Sequence, residues 1–86
     1  MELEVRKAFH TRKLIGENIV VVTKIGQRIS GEMLEYFEKN NAIVVRNFKL
    51  WDTNSKGKLE IVDEGDIIIL KGDAWCQLIC PKYTKV

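Results

Sequence analysis

Two short polar interruptions carry most of the chemistry this chain can offer. One is Lys71-Gly72-Asp73, between the apolar runs Ile67–Leu70 and Trp75–Ile79; the other is Glu38-Lys39-Asn40-Asn41, between Arg28–Phe37 and Ala42–Val45. Each sets a lysine beside an amide or a carboxylate at the tip of a β-type segment. An ammonium only donates hydrogen bonds, a carboxylate only accepts them, and an amide does both. Two such tips at the ends of paired strands would present polar loops to a partner.

No other group competes for chemistry. His10 is the lone histidine, and no Gly-rich phosphate loop, zinc-ligand spacing or nucleophile–base pair occurs. Asp63, Glu64 and Asp66 resemble a metal site only in being acidic, and they read as solvated loop charges. Cys76 and Cys80 lie four apart in one expected strand, which places both on one face about 13 Å apart, too far to bridge. They are expected to be small buried hydrophobes in a reducing compartment. A protein that is not an enzyme, with no cofactor and no metal, is expected.

The elements that must position the two tips follow from composition and period. The 86 residues make one domain, 45% hydrophobic, with one proline and six glycines. A chain of this size buries only about 60–65% of its unfolded surface, so association would help it. With 14 basic and 12 acidic residues the net charge is +2, well short of a generic duplex binder. Nucleic-acid binding would therefore need charge arranged locally or repeated by symmetry. The N-terminus lacks a signal pattern and no run reaches membrane-spanning length, so a cytoplasmic location is expected.

Residues 1–15 are expected to form an N-terminal helical segment, with the helix over 2–13 and Gly16 as its stop. From Asn18 the period becomes two. Strands are expected over 18–24, 28–37, 42–51, 58–71 and 74–80, ended by Pro81, with 81–86 as a tail. Gly31 inside the second strand marks a bend or a close backbone approach. In the third, Ile43 and Val45 share one face, and Val44, Arg46, Phe48 and Leu50 the other. The fold expected is mainly all-β: a short N-terminal α-helix, then a strongly bent five-stranded antiparallel SH3-like barrel over 18–80. Val20-Val21-Val22 and Ile67-Ile68-Ile69 have no polar face. Apolar, unpaired margins must be covered, and pairing the last strand with a neighbour's fourth would do so, giving a ring if the contact closes.

At this point the stretch from Leu14 to Ile79 resembles the Sm/LSm family, most like its archaeal Sm-like proteins. Gly31, Met33 and Tyr36 fall in register with the first family motif, and Asn41 stands where the family's Asn does. Lys71-Gly72-Asp73 stands for the second motif, Arg-Gly-Asn/Asp. The departures are Phe37 at the acidic position of the turn, Lys39 at the base-stacking position, Asn40 for Met and Lys71 for Arg. The resemblance implies a homo-oligomeric ring of about six or seven subunits that binds single-stranded, uridine-rich RNA at pore-side turns. Its role would be RNA processing or turnover.

Carried onto this chain, the RNA-binding residues would be Lys39, Asn41, Lys71, Gly72 and Asp73. Asn41 offers a donor and an acceptor to a uracil edge. Lys71 can reach a base carbonyl or a phosphate but lacks a stacking guanidinium, and the N–H groups of Gly72 and Asp73 add donors. Lys39 supplies no aromatic platform, where stacking contributes about 1–3 kcal/mol per base, so binding weaker than the family's and more electrostatic is expected. The alternative is a non-catalytic SH3-like protein-interaction module or a ribosome-associated protein.

Overall fold

The computed structural model describes residues 3–5 and 11–81. It is all-β. The strands are β1 (Leu3–Val5), β2 (Asn18–Thr23), β3 (Arg28–Phe37), β4 (Ala42–Thr53), β5 (Leu59–Leu70) and β6 (Trp75–Cys80). They form one antiparallel sheet in the order β1-β6-β2-β3-β4-β5. The five long strands match the period-two reading to within a residue or two at most ends.

The N-terminal helix is not observed. Where it was expected, residues 3–5 pair with β6 as a strand, residues 11–14 form a single 3-10 turn, and residues 6–10 lie outside the described residues. The physical reason is that a helix this short is marginal by itself, whereas Leu3-Glu4-Val5 alternates with period two and finds a waiting strand. Gly16, at φ 91°, closes the turn that follows. The expected tail from residue 82 onward also lies outside the described residues.

The sheet bends strongly but is not closed into a barrel. Its margins, β1 and β5, do not pair with each other, and β6 receives β1 at Leu78–Cys80 where a closing strand would have to dock. Gly31 makes the bend possible: a Cβ there would lie 2.6 Å from a Val45 methyl and 2.7 Å from the Arg46 carbonyl oxygen. Opposite it the β3–β4 register slips, with Asn47 at φ 52° as the extra residue of β4.

That bulge reverses side-chain parity. Phe48 turns to the same core as Ile43 and Val45, contrary to the simple alternation expected for β4. A second slip near Leu34 lets Met33 and Tyr36 both point inward. A third, between Val22 and Thr23 on β2, falls opposite Cys76, so Cys76 is exposed while Cys80 is fully buried. The two thiols therefore do not share an environment; both are free.

The core gathers Ile19, Val21, Ile29, Met33, Tyr36, Ile43, Val45, Phe48, Leu70, Trp75 and Leu78. On β5 the acidic stretch Asp63–Asp66 does not interrupt the strand, because the Phe48 ring lies over Gly65, its register partner. Leu59, Ile61, Val62, Ile67 and Ile69 of the same strand are exposed.

Candidate nucleic-acid interface

Strand pairing explains why the two polar tips meet. Ile43 pairs with Leu70, so the chain entering β4 and the chain leaving β5 run side by side. β6 then turns away to pair with β2, and the Lys71–Ala74 turn is closed by the Ala74 N–H on the Lys71 carbonyl at 2.9 Å. The Gly72 N–H reaches across to the Asn40 carbonyl at 3.2 Å. A Cβ on Gly72 would sit 2.7 Å from both the Asn40 oxygen and the Asn41 Cβ, so only glycine lets the tips touch.

Asn41 is fixed from two sides. It holds a left-handed backbone at φ 52°, which asparagine tolerates better than most residues. The Trp75 indole N–H donates to its carbonyl at 2.8 Å, and the Tyr36 hydroxyl donates to its side-chain Oδ1. Both aromatic residues are buried. The Tyr36 bond engages Oδ1, the acceptor end of the amide. From residue type Asn41 offers both a donor and an acceptor; the Tyr36 bond occupies one acceptor position and so favours the donor role.

The result is a shallow cleft of about 510 Å³ lined by Lys24, Asn40, Asn41, Lys71, Gly72 and Asp73. Four of the five residues expected at the site are thus brought together. Lys39 is exposed on the same turn and does not line the cleft. Lys24 and Asn40 were not foreseen. Asn40 is Asn41's neighbour in a turn already singled out; Lys24 arrives because its N–H bonds the Ala74 carbonyl at 3.1 Å, a consequence of β2–β6 pairing between distant segments.

Chemically the cleft combines two ammonium groups, one carboxylate and oriented amide donors. Asn41 as donor beside Asp73 as acceptor complements an edge that carries a carbonyl next to an N–H, as uracil does; cytosine presents the opposite pattern. Lys24 and Asp73 also border an apolar hollow of about 370 Å³, whose lining includes Ile25, Ile29, Leu50, Ile68 and Leu70.

Elsewhere the polar groups hold the fold. Arg46 pairs with Glu32 at 2.9 Å, and the Trp51 indole donates to Ser30 at 2.9 Å. Asp52 accepts from the Gln27 amide at 3.0 Å and from the Thr53 N–H at 2.8 Å; these bonds hold its carboxyl below the usual aspartate value. No group of three potential metal ligands converges among the described residues. Among them, too, no helix is long and apolar enough to cross a membrane.

Compared with protein-family models and with curated proteins, the chain gives no match to either.

Proposed function

We propose that this chain is a non-catalytic, cytoplasmic Sm-like RNA-binding protein whose copies form a closed ring, each contributing one cleft to the binding of single-stranded, uridine-rich RNA for processing or turnover. The observation that carries the reading is the cleft itself. Two turns far apart in sequence, both singled out by their residue types, converge around an amide held rigid by Tyr36 and Trp75. A bound uracil would offer its carbonyl to Asn41 and its N–H to Asp73, while Lys24 and Lys71 meet the phosphates. Without an aromatic at position 39, the ring of the base would lie against the neighbouring apolar hollow instead of stacking.

Ring formation is supported by β5, whose outer edge is unpaired among the described residues and whose exposed surface carries Ile67 and Ile69. A long apolar margin of this kind is a ready template for another strand. A second reading, a single-copy SH3-like interaction module or ribosome-associated protein, is favoured by β1, which covers part of the opposite margin.

Light scattering combined with fluorescence anisotropy of labelled oligo-uridine and oligo-cytidine decides between them. A six- or seven-fold mass with salt-sensitive, uridine-preferring binding is the expected result. A single-copy mass with no RNA binding would reject the proposal in favour of the interaction module. Asn41→Ala and Lys71→Ala should each weaken binding, and Lys71→Ala should flatten its salt dependence.

A further inference from the structure

We infer that the outer side of β3 and β4 carries a docking site for an acidic peptide segment anchored by one apolar side chain. The site is separate from the polar cleft and requires neither RNA nor a second copy of the chain.

Strand register builds it. Ile29 and Leu50 pair with each other and line the apolar hollow, so Arg28, Ser30 and Trp51, which alternate with them, fall on the other side of the same two strands. Val20, opposite Ser30 on β2, and Leu59, at the start of β5, complete a cavity of about 310 Å³ there. The Trp51 indole donates its N–H to Ser30 Oγ, which holds the ring at the cavity wall. Ile61, opposite Trp51 in the register, is exposed beside it and extends the apolar floor.

The lining selects the occupant. Of its five residues, Val20, Trp51 and Leu59 are apolar, and the Ser30 hydroxyl is already engaged by the indole. A nucleobase carries several polar edge groups, and each one buried unpaired costs about as much as stacking the ring returns. A leucine or phenylalanine side chain carries none.

Charge selects what flanks that anchor. Arg28 lines the cavity, is exposed and makes no ion pair among the described residues. Lys58, next to Leu59, is exposed and equally without one. Lys49 shares this side of the sheet, but Glu64 stands opposite it, and Glu32 is engaged by Arg46. The cavity is thus bordered by two available cations, Arg28 with a planar fork suited to carboxylates. Carboxylates on either side of an apolar anchor complement that border. Ile67 and Ile69, on which the ring reading draws, lie beyond Gly65 at the other end of β5, so the two surfaces share no residue.

Fluorescence anisotropy on the full-length chain tests this with short labelled peptides of aspartate and glutamate whose central residue is leucine, phenylalanine or alanine. The leucine and phenylalanine peptides should bind, and the alanine peptide should bind about tenfold more weakly or worse. Added salt should weaken all three. Arg28→Glu and Leu59→Asn, both at exposed positions, should each weaken binding about tenfold while keeping the native urea midpoint. Trp51→Phe should abolish the change in tryptophan emission that accompanies binding.

Equal affinity for the leucine and alanine peptides, or no binding of any of them, would overturn the proposal. Loss of oligo-uridine or oligo-adenosine binding in Arg28→Glu, with no peptide bound by the native chain, would assign this side of the sheet to RNA and overturn it as well.

Discussion

The two ends of β5 behave oppositely. At its C-terminal end Leu70 is buried, pairs with Ile43 and leads into a turn that packs so closely on Asn40 and Asn41 that a methyl group would not fit. From Leu59 to Ile69 the strand is largely exposed, although it is as rich in apolar side chains as β4 beside it. Hydropathy alone does not separate the two ends; what the strand is packed against does. The polar tip is closely packed on its neighbours, and the apolar margin is exposed.

The contrast can be broken first on neighbouring rungs of the two strands. Ile43→Ala, in the fully buried row of β4, should lose about 2–5 kcal/mol of stability in urea unfolding. Ile69→Ala, on the next rung opposite Val44 but 61% exposed, should stay within about 0.5 kcal/mol. Equal costs would show that β5 is buried in solution. If a second copy uses that face, Ile69→Ala weakens assembly while the single chain keeps its stability.

Next in size is Gly72→Ala. The added methyl meets backbone, which cannot swing aside as a side-chain tip can, so a loss of about 1–3 kcal/mol is expected together with loss of oligo-uridine binding. Native stability and native affinity in this variant would mean that the two turns do not touch.

Tyr36→Phe is smaller in stability, about 1 kcal/mol for the lost hydrogen bond, and sharper in specificity. Freed of the hydroxyl, the Asn41 amide can rotate and offer its oxygen to a ligand. The preference for oligo-uridine over oligo-cytidine should shrink, read as the ratio of two anisotropy titrations. An unchanged ratio would mean that Tyr36 does not set the donor role of Asn41.

The smallest effect concerns Asp52, whose folded carboxyl titrates below its ordinary value because Gln27 and Thr53 donate to it. A depressed carboxyl contributes stability above the unfolded value of 3.8, and that contribution is lost as pH falls through the folded one. The native chain should thus melt slightly above Asp52→Asn at about pH 7, and the gap should close toward about pH 2.

Much of this was legible in the sequence for a local reason. Alternation marks strands, and Ile25-Gly26-Gln27, Glu38–Asn41 and Lys71–Asp73 mark turns between them, so five strands and both polar tips were readable. Gly31 was readable as a bend because a strand interior seldom accepts a residue without a side chain. Parity was not readable past a bulge. Phe48 joined the core because Asn47 adds a residue, and Cys76 parted from Cys80 because β6 slips against β2. Nothing local announces either slip.

Non-local pairing hid the remainder. Leu3-Glu4-Val5 becomes a strand only because β6 has a margin to receive it, and Lys24 enters the cleft only because β2 lies against β6. The hydroxyl on Tyr36 was the one missed signal within reach. It is a polar atom on a core residue five positions before the asparagine it restrains.

The Leu3–Cys80 register also joins the first strand of this sheet to its sixth. β1 leaves the ribosome well before β6, so this sheet cannot be completed on a nascent chain until β6 has emerged. Contacts between such distant segments slow folding, and a product cut short before Trp75 would expose β2 as well as β5. Because β1 and β6 lie side by side, a short linker between them with a new opening in the 54–57 loop should give a permuted chain in which that distance along the polymer disappears.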